Sequence, residues 1–289
     1  MKFALAAAYS DPLDLPALAR AADTSGWEAF ALSDHVVHHE RPKTPYPYTA
    51  DGSRRWPEFT PWPDPWVTIG ALAAVTERLR FFTNVYVLPL RDPYSVAKAV
   101  GTAAVLSRNR VALGIGVGWS RDEFELLGPE FGNRGRRTDE MIEVMRKLWT
   151  GRMVEHRGAH YAFERLEMSP APSEPVPIYF GGLSDAALRR AARLGDGWIS
   201  DIHSTEELRA KCAELARLRA EAGRSGTPFA VIASANDAFN VDGYRRLEEA
   251  GVTHLMTMPW FFYGGPDIPL AQKLESVARF SDDVIAKMR

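Results

Sequence analysis

The stretch RVALGIGVGW, residues 110–119, gives the clearest indication of the fold. Its apolar run over residues 110–117 has the length of one strand and predicts a buried strand. Glycine occupies the alternate positions Gly114, Gly116 and Gly118, which leaves one face of that strand without side chains. Such a face admits either a flat ring or a neighbouring backbone, so a ligand surface and tight barrel packing are equally good interpretations. A dinucleotide-binding GxGxxG fingerprint is excluded because its last glycine is replaced by tryptophan.

Seven similar strand patterns lie on either side of this run, and a helical pattern follows each of them. They span residues 3–8, 29–33, 81–88, 176–180, 198–200, 229–234 and 254–258. Alternating strands and helices are typical of βα units on a parallel sheet. Eight such units in 289 residues predict an α/β fold, a (β/α)8 TIM barrel with inserted loops at its C-terminal face. A doubly wound parallel sheet is the alternative architecture.

The remaining segments fit one domain. Residues 151–168 resemble an inserted hairpin, and residues 36–64 form a long loop rich in proline and aromatic residues. The strongest helix pattern runs over residues 137–149, after a loop that follows the glycine-rich strand. Because no Gly/Ser-rich or Pro-rich linker separates two cores, we expect a single domain over residues 1–289.

Composition excludes several classes of protein. The formal net charge of −2 and the pI of about 6.4 give no field that would attract nucleic acid or an anionic membrane. Cys212 is the only cysteine, so an internal disulfide is excluded and a reducing cytoplasm is expected. The apolar run over residues 3–9 is too short for a secretion signal and is interpreted as the first strand. Nucleic acid and membrane partners are therefore not expected, and a homodimer is left open.

The chemistry of such a barrel is expected just after each strand, at its C-terminal face. Ser33, Asp34 and His35 follow the second strand. A histidine changes charge near neutral pH, and an adjacent carboxylate can orient it or raise its pKa, so His35 is the candidate acid/base and Asp34 its orienter. A surface turn with a helix N-cap would account for the same residues.

Two further histidines, His38 and His39, join His35 in a cluster that could ligate a metal. The other histidines show no matching spacing, and a zinc site on a barrel would need ligands from other strand ends. A solvated loop is the better interpretation of His38 and His39, and no metal is expected.

Gly181 and Gly182 follow the fifth strand and open a helix through Ser184. Backbone N–H groups at a helix N-terminus can hold an anion, so a phosphate site is one interpretation of this turn. An ordinary glycine turn is the other.

Aromatic residues accumulate in two loops on the same predicted face. They are Tyr46, Tyr48, Trp56, Phe59 and Trp62 after the second strand, and Trp260, Phe261, Phe262 and Tyr263 after the eighth. Apolar loops need something to cover, which can be each other, a partner subunit or an apolar ligand.

Five motifs occur in one order along the chain: residues 33–35 (SDH), 64–66 (DPW), 113–119 (LGIGVGW), 131–141 (FGNRGRRTDEM) and 181–198 (GG…AARLGDGW). Together they resemble the bacterial luciferase-like monooxygenase family, and in particular its branch of deazaflavin (F420)-dependent oxidoreductases. The resemblance covers nearly the whole chain. It implies a (β/α)8 barrel that binds FMN or coenzyme F420 at its C-terminal mouth. The SDH signature and the lack of a segment similar to a flavin reductase favour F420.

The resemblance also implies roles for single residues. His35 would lie close to the ring of the cofactor. The cofactor-binding residues would be Gly181, Gly182 and Ser184 at the phosphate, Gly116 and Gly118 beside the ring, and Asn84 and Val85 at a bulge in the third strand. Members of the family often have a non-prolyl cis peptide bond in that bulge.

One departure from the family concerns the substrate. F420-dependent glucose-6-phosphate dehydrogenases resemble this chain but have a catalytic glutamate where Trp119 stands. An apolar pocket formed by Trp119, Trp62, Trp260 and Phe261 is therefore expected in place of a sugar phosphate site. The expected activity is hydride transfer between F420 and a small, largely apolar substrate. The alternatives are an FMN-dependent monooxygenase, a metal hydrolase that uses the loop histidines, and a non-catalytic flavin-binding protein.

Overall fold

Eight parallel strand positions close into a barrel in a computed structural model that describes residues 1–289. The strands are β1 Lys2–Ala6, β2 Ala29–Leu32, β3 Arg80–Thr83, β4 Tyr86–Val87, β5 Val111–Gly116, β6 Val154–Arg157, β7 Ala162–Leu166, β8 Ile178–Gly181, β9 Gly197–His203, β10 Ala230–Ala235 and β11 His254–Thr257. β1 pairs with β2 and β11, and β3 pairs with both β2 and β5, which closes the ring. The predicted (β/α)8 barrel is confirmed.

The antiparallel hairpin β6–β7 lies outside the barrel, within the segment predicted to be inserted. The third barrel position is shared by β3 and β4, which the peptide bond between Asn84 and Val85 separates; this bond is cis. The predicted third strand over residues 81–88 is therefore interrupted.

Helices surround the barrel. They are α1 Leu15–Thr24, α2 Pro65–Ala73, α3 Pro93–Leu106, α4 Arg121–Leu127, α5 Arg134–Leu148, α6 Asp185–Leu194, α7 Thr205–Glu221, α8 Val241–Glu249, α9 Trp260–Tyr263 and α10 Leu270–Asp283. No helix is long and apolar enough to cross a membrane.

Helix α4 occupies a segment that the sequence predicted to be a loop. Ser120 is its N-cap, with a side chain that accepts from the backbone N–H of Glu123, and Gly128 ends it in the left-handed region at φ 97°. The helix is short and polar, so its sequence has no apolar periodicity, and only the caps at its two ends indicate it. This helix matters because it carries two carboxylates that hold the mouth of the barrel together.

The barrel interior is filled mostly by small residues. A separate cluster contains Ala4, Ala6, Ala29, Ala31, Phe82, Ala112, Ile199, Ile232 and Met256, whose neighbours along the strands belong to the larger core under the helices. This alternation is the two-residue period of a strand with one face inside the barrel and one outside.

Close contact between strands explains two of the alternate glycines. A Cβ on Gly114 would lie 1.8 Å from the carbonyl oxygen of Thr83, which no side chain tolerates. Gly118 has φ 81°, and a Cβ there would lie 2.7 Å from Cγ1 of Val87. The interpretation as tight barrel packing therefore holds at both positions.

Candidate active site

His35 lies just beyond β2, at the C-terminal mouth of the barrel, and its partner is Glu123 of α4. The Nδ1 atom of His35 is 3.2 Å from Oε2 of Glu123. The other carboxylate oxygen of Glu123 accepts from the backbone N–H of Val36 at 3.0 Å. The two side chains are 10% and 4% exposed, so this is a buried pair held in one geometry. Burial alone would raise the pKa of Glu123, but the hydrogen bond and charge of His35 and the nearby backbone N–H groups lower it.

Asp34 does not orient His35, so the sequence-based assignment of the partner is wrong. Its carboxylate makes two hydrogen bonds to the guanidinium of Arg91, at 2.6 and 2.8 Å, and accepts from the backbone N–H of Val87 at 2.9 Å. Side chains of neighbouring residues diverge at a strand end, which sends Asp34 into the protein and His35 into the mouth. Asp34 fixes the segment just after the cis bond against the end of β2, and no sequence signal pointed to Arg91.

Aromatic rings enclose His35 on several sides. Its ring centroid lies 5.3 Å from those of Trp56 and Trp62 and 6.0 Å from that of Trp119. Tyr9, just after β1, stacks on Trp56 with centroids 6.5 Å apart. The loop over residues 36–64 thus closes over the mouth.

Polar contacts tie this loop to two elements of the barrel. Asp122 of α4 accepts from the backbone N–H groups of Lys43 and Thr44, at 3.2 and 2.9 Å. Arg55 makes a bidentate pair with Asp201 of β9, with nitrogen–oxygen distances of 2.8 and 2.9 Å. The loop is consequently held at both sides of the mouth, by α4 and by β9.

The histidine cluster is not arranged as a metal site. His38 accepts a hydrogen bond at Nε2 from the indole N–H of Trp56 at 3.2 Å, and its ring centroid is 4.5 Å from that of His35. Desolvation and the charge of His35 lower the pKa of His38 to about 4. No group of three or more His, Cys, Asp or Glu residues is placed to hold a metal ion.

A cavity of about 370 Å³ opens beside His35, and all its other lining residues belong to the 36–64 loop. Trp62, which lines it, has a buried indole N–H without a hydrogen-bond partner. Phe59 also lines this cavity, but its side chain is fully exposed and takes no part in the packed rings.

The glycine turn after β8 begins at Gly181, which packs against the bulge in the third strand position. A Cβ on Gly116 or on Gly181 would lie 2.7 Å from a methyl carbon of Val85. Val85 therefore forms a floor between β5 and β8, and both it and Asn84 are only partly buried. This floor has few side chains and lies at the mouth of the barrel.

The next residue, Gly182, has φ 115°, a conformation that favours glycine. Its carbonyl accepts from the indole N–H of Trp198 at 2.9 Å. Ser184 is the N-cap of α6, and its hydroxyl accepts from the backbone N–H of Ala187 at 3.3 Å. The first amides of the helix, at Asp185 and Ala186, lack intrahelical partners.

The second aromatic group lies elsewhere in the molecule. Trp260 is 2% exposed and belongs to the main core, with the ammonium of Lys273 5.8 Å from its ring centroid. Phe262 packs on Phe239 and Phe280, and Phe261 is half-exposed. No ring of this group pairs with a ring of the 36–64 loop. The prediction that Trp260 lines a substrate pocket is wrong because the side chain fills the core.

A hydrogen-bonded histidine–carboxylate pair among aromatic rings, at the C-terminal mouth of a (β/α)8 barrel, is typical of barrel enzymes. The chain belongs to the luciferase-like monooxygenase family, whose model matches residues 4–268. The resemblance carried by the sequence motifs is thereby confirmed.

Relatives known from sequence include proteins with and without an assigned activity. The uncharacterized protein Rv0940c of Mycobacterium tuberculosis is 41% identical over 292 aligned residues, which cover all of both chains. An F420-dependent glucose-6-phosphate dehydrogenase of Nakamurella multipartita is 33% identical over 192 residues, covering 65% of this chain and 52% of the relative.

Solved structures with the same fold are more distant in sequence. The coenzyme F420-dependent tetrahydromethanopterin reductase of Methanopyrus kandleri matches with a TM-score of 0.77 at 15% identity, over 100% of this chain and 99% of the other. The oxygenating constituent of 3,6-diketocamphane monooxygenase from Pseudomonas putida, in complex with FMN, matches with a TM-score of 0.74 at 16% identity over the same shares. These matches establish the barrel fold.

Proposed function

We propose that this protein is an F420-dependent oxidoreductase that transfers a hydride between the deazaflavin and a small, largely apolar organic substrate. The observation that carries the proposal is the buried His35–Glu123 pair, which faces the mouth of the barrel among tryptophan rings. The F420-dependent activity of the Nakamurella relative supports the choice of cofactor.

The residues at the mouth fit a flat, phosphorylated ring. Val85, between Gly116 and Gly181, gives a floor with few side chains on which a ring can lie. The free amides at the start of α6 and the turn at Gly182 suit a phosphate, because the positive end of the helix dipole faces it.

When bound, F420 supplies the carbon that donates or accepts the hydride. His35 exchanges the accompanying proton with the oxygen or nitrogen of the substrate, through the ring nitrogen that Glu123 does not bind. Glu123 holds the imidazole in one orientation through its contact with Nδ1. The 36–64 loop excludes water from the site, and Trp62 and Trp119 give the substrate an apolar surface.

Oxygen dependence separates this activity from that of an FMN-dependent monooxygenase. Reduced F420 should be oxidised by apolar ketones, enones or imines, or oxidised F420 reduced by the corresponding alcohols, saturated ketones or amines, at equal rates in air and in its absence. The absorbance of the oxidised deazaflavin reports the reaction directly. A strict requirement for oxygen, with reduced FMN as the only effective donor, would assign the protein to the monooxygenases instead.

A further inference from the structure

A second cavity, of about 220 Å³, lies at the end of the barrel opposite to the candidate active site. Its lining includes Lys2, Ala29, Arg80 and His254, which are the first residues of β1, β2, β3 and β11. The N-terminal ends of parallel strands therefore surround it. Barrel enzymes have their catalytic groups at the other face, so the proposed function does not use this cavity.

The inner part of this cavity is apolar. Ala29 and Ala112 leave the space unfilled, and Phe82, Tyr179 and Ile232 complete the walls. The rings of Phe82 and Tyr179 meet edge to face, with centroids 6.2 Å apart. An apolar cavity of roughly 150 Å³ holds a benzene ring, so this larger one has room for a ring with a small substituent.

The outer end of the cavity is cationic. Lys2 and Arg80 are exposed, whereas most of the walls are buried, so the cavity opens beside these two side chains. Glu28, the only acidic residue of the lining, pairs with Lys2 at 2.8 Å. Arg80 makes no ion pair, and its guanidinium has one long hydrogen bond, 3.4 Å from Nη2 to the carbonyl of Asn109. Most donors of this guanidinium are therefore free.

His254 is a further polar group of the lining. Its Nδ1 atom is 2.7 Å from the hydroxyl of Thr253, and its Nε2 atom has no partner in the protein. Burial, and then the positive charge of Lys2, lower the pKa of His254 to about 4. An anion held at the entrance would oppose the effect of that charge and raise the pKa of the imidazole.

We propose that this cavity binds a small organic monocarboxylate of about the size of benzoate. The carboxylate accepts hydrogen bonds from the guanidinium of Arg80, whose planar geometry suits two carboxylate oxygens. The apolar body of the ligand lies between Phe82, Tyr179 and Ile232. A phosphate ion would leave these walls uncovered, and a neutral ring would leave Arg80 without a partner. The inference does not depend on the proposed function.

NMR titration with benzoate, benzyl alcohol and phosphate tests the inference. The ring signal of His254, identified by its loss in His254→Gln, should shift when benzoate is added. The signal of His35, at the opposite end of the barrel, should not. Benzoate should bind at least about tenfold more tightly than benzyl alcohol or phosphate, because only benzoate has both the charge and the apolar body.

Single variants identify the group that binds the carboxylate. Arg80→Gln should weaken benzoate at least about tenfold and leave benzyl alcohol unchanged. Arg152→Gln, which removes an equal charge from the exposed start of the hairpin segment, should match wild type. Lys2→Gln is a second variant at an exposed position, and it should also weaken benzoate because it leaves the charge of Glu28 unpaired at the entrance. Thermal melts show that each variant is folded.

Four outcomes overturn the inference. Benzoate binds Arg80→Gln and Lys2→Gln as tightly as wild type, or it shifts the signal of His35 in place of that of His254. Phosphate or benzyl alcohol binds as tightly as benzoate, which would assign the cavity to inorganic anions or to neutral rings. Arg152→Gln loses as much affinity as Arg80→Gln, which would reduce the effect to net charge. None of the three ligands binds at millimolar concentration.

Discussion

At the scale of single residues, the mouth of the barrel is organised by two carboxylates, and the one predicted to orient His35 has a different partner. Asp34 neighbours His35 in sequence, yet its carboxylate binds Arg91, and the histidine binds Glu123 from another element. The first pair fixes the backbone after the third strand position, and the second fixes the imidazole. Asp34 therefore has a structural role, and Glu123 has a role at the candidate active site.

Removal of the imidazole tests its proposed role in proton transfer. His35→Ala should lower turnover with F420 by at least about a hundredfold, since a general acid/base contributes typically 10²–10⁴-fold. The variant should stay folded and keep its cofactor affinity near wild type, with a lower melting temperature because Glu123 loses its buried partner. Steady-state kinetics and a thermal melt measure both, with His160→Ala in the remote hairpin as the control. A variant that keeps its rate, or loses it only by unfolding, would make His35 a structural residue.

Neutralising Glu123 should separate orientation from packing. Glu123→Gln is nearly isosteric, so we expect turnover to fall roughly tenfold or more with an unchanged KM for the cofactor. The pH–rate profile should also change, because the variant replaces the carboxylate that contacts Nδ1 of His35 with a neutral amide. Glu125→Gln, exposed on the same helix, should match wild type.

The lowered pKa of Glu123 also makes the stability of the fold depend on pH. A carboxyl with a depressed pKa stabilises the fold above its ordinary pKa of 4.5 and loses that contribution as pH falls through the folded value. Thermal melts at successively lower pH should therefore show a smaller acid loss for Glu123→Gln than for wild type. An unchanged pH–rate profile together with identical acid melts would contradict the pairing with His35.

At the scale of elements, the loop over residues 36–64 is the part that we expect to respond to ligands. It has no helix or strand of its own and is held by Asp122 of α4 and by the Arg55–Asp201 pair. A loop held by a few polar contacts opens at a small cost, so it can admit a cofactor and then cover it.

Limited proteolysis measures this opening. Chymotrypsin should cut at the fully exposed Phe59, and cleavage should slow when F420 and substrate are bound. Arg55→Gln should speed cleavage of the free protein severalfold by releasing the loop from Asp201. Arg54→Gln is the matched control, because its only ion pair, with Glu58, stays within the loop. Equal cleavage with and without ligands would indicate a permanently closed loop.

The turn after β8 has a separate prediction. Gly182→Val introduces a β-branched residue at φ 115°, which should distort the turn and block a phosphate from the start of α6. We expect affinity for F420 to fall at least tenfold, with a smaller change for the deazaflavin without a phosphate. Gly223→Val, also at positive φ but with open space around it, controls for backbone strain. Equal losses for both ligands would argue against a phosphate at this turn.

At the scale of the whole molecule, the sequence predicted the barrel well because its signal repeats. Eight strand patterns, each followed by a helix, leave few architectures, and errors at single boundaries do not change the result. The third strand position shows a limit of the apolar pattern, since the family resemblance indicated the bulge with its cis bond at Asn84–Val85 and the pattern did not.

The site was harder to predict because it depends on contacts between distant residues. His35 and Glu123 are 88 residues apart in the sequence. From the sequence alone, Glu123 resembles an ordinary first-turn residue of a helix capped by Ser120. Glu123 was missed, whereas Trp260 was predicted to bind substrate from a loop and instead fills the core. Residue type alone does not distinguish these cases, whereas burial and partners do.

Side-by-side titration of the purified protein with F420 and FMN tests the central claim most directly, because the cofactor determines the class of chemistry. Quenching of tryptophan fluorescence should report binding, since Trp56 and Trp62 lie at the mouth. The proposed function predicts that F420 binds at least tenfold more tightly than FMN, a difference of about 1.4 kcal/mol. Equal affinities, or tighter binding of FMN, would contradict it.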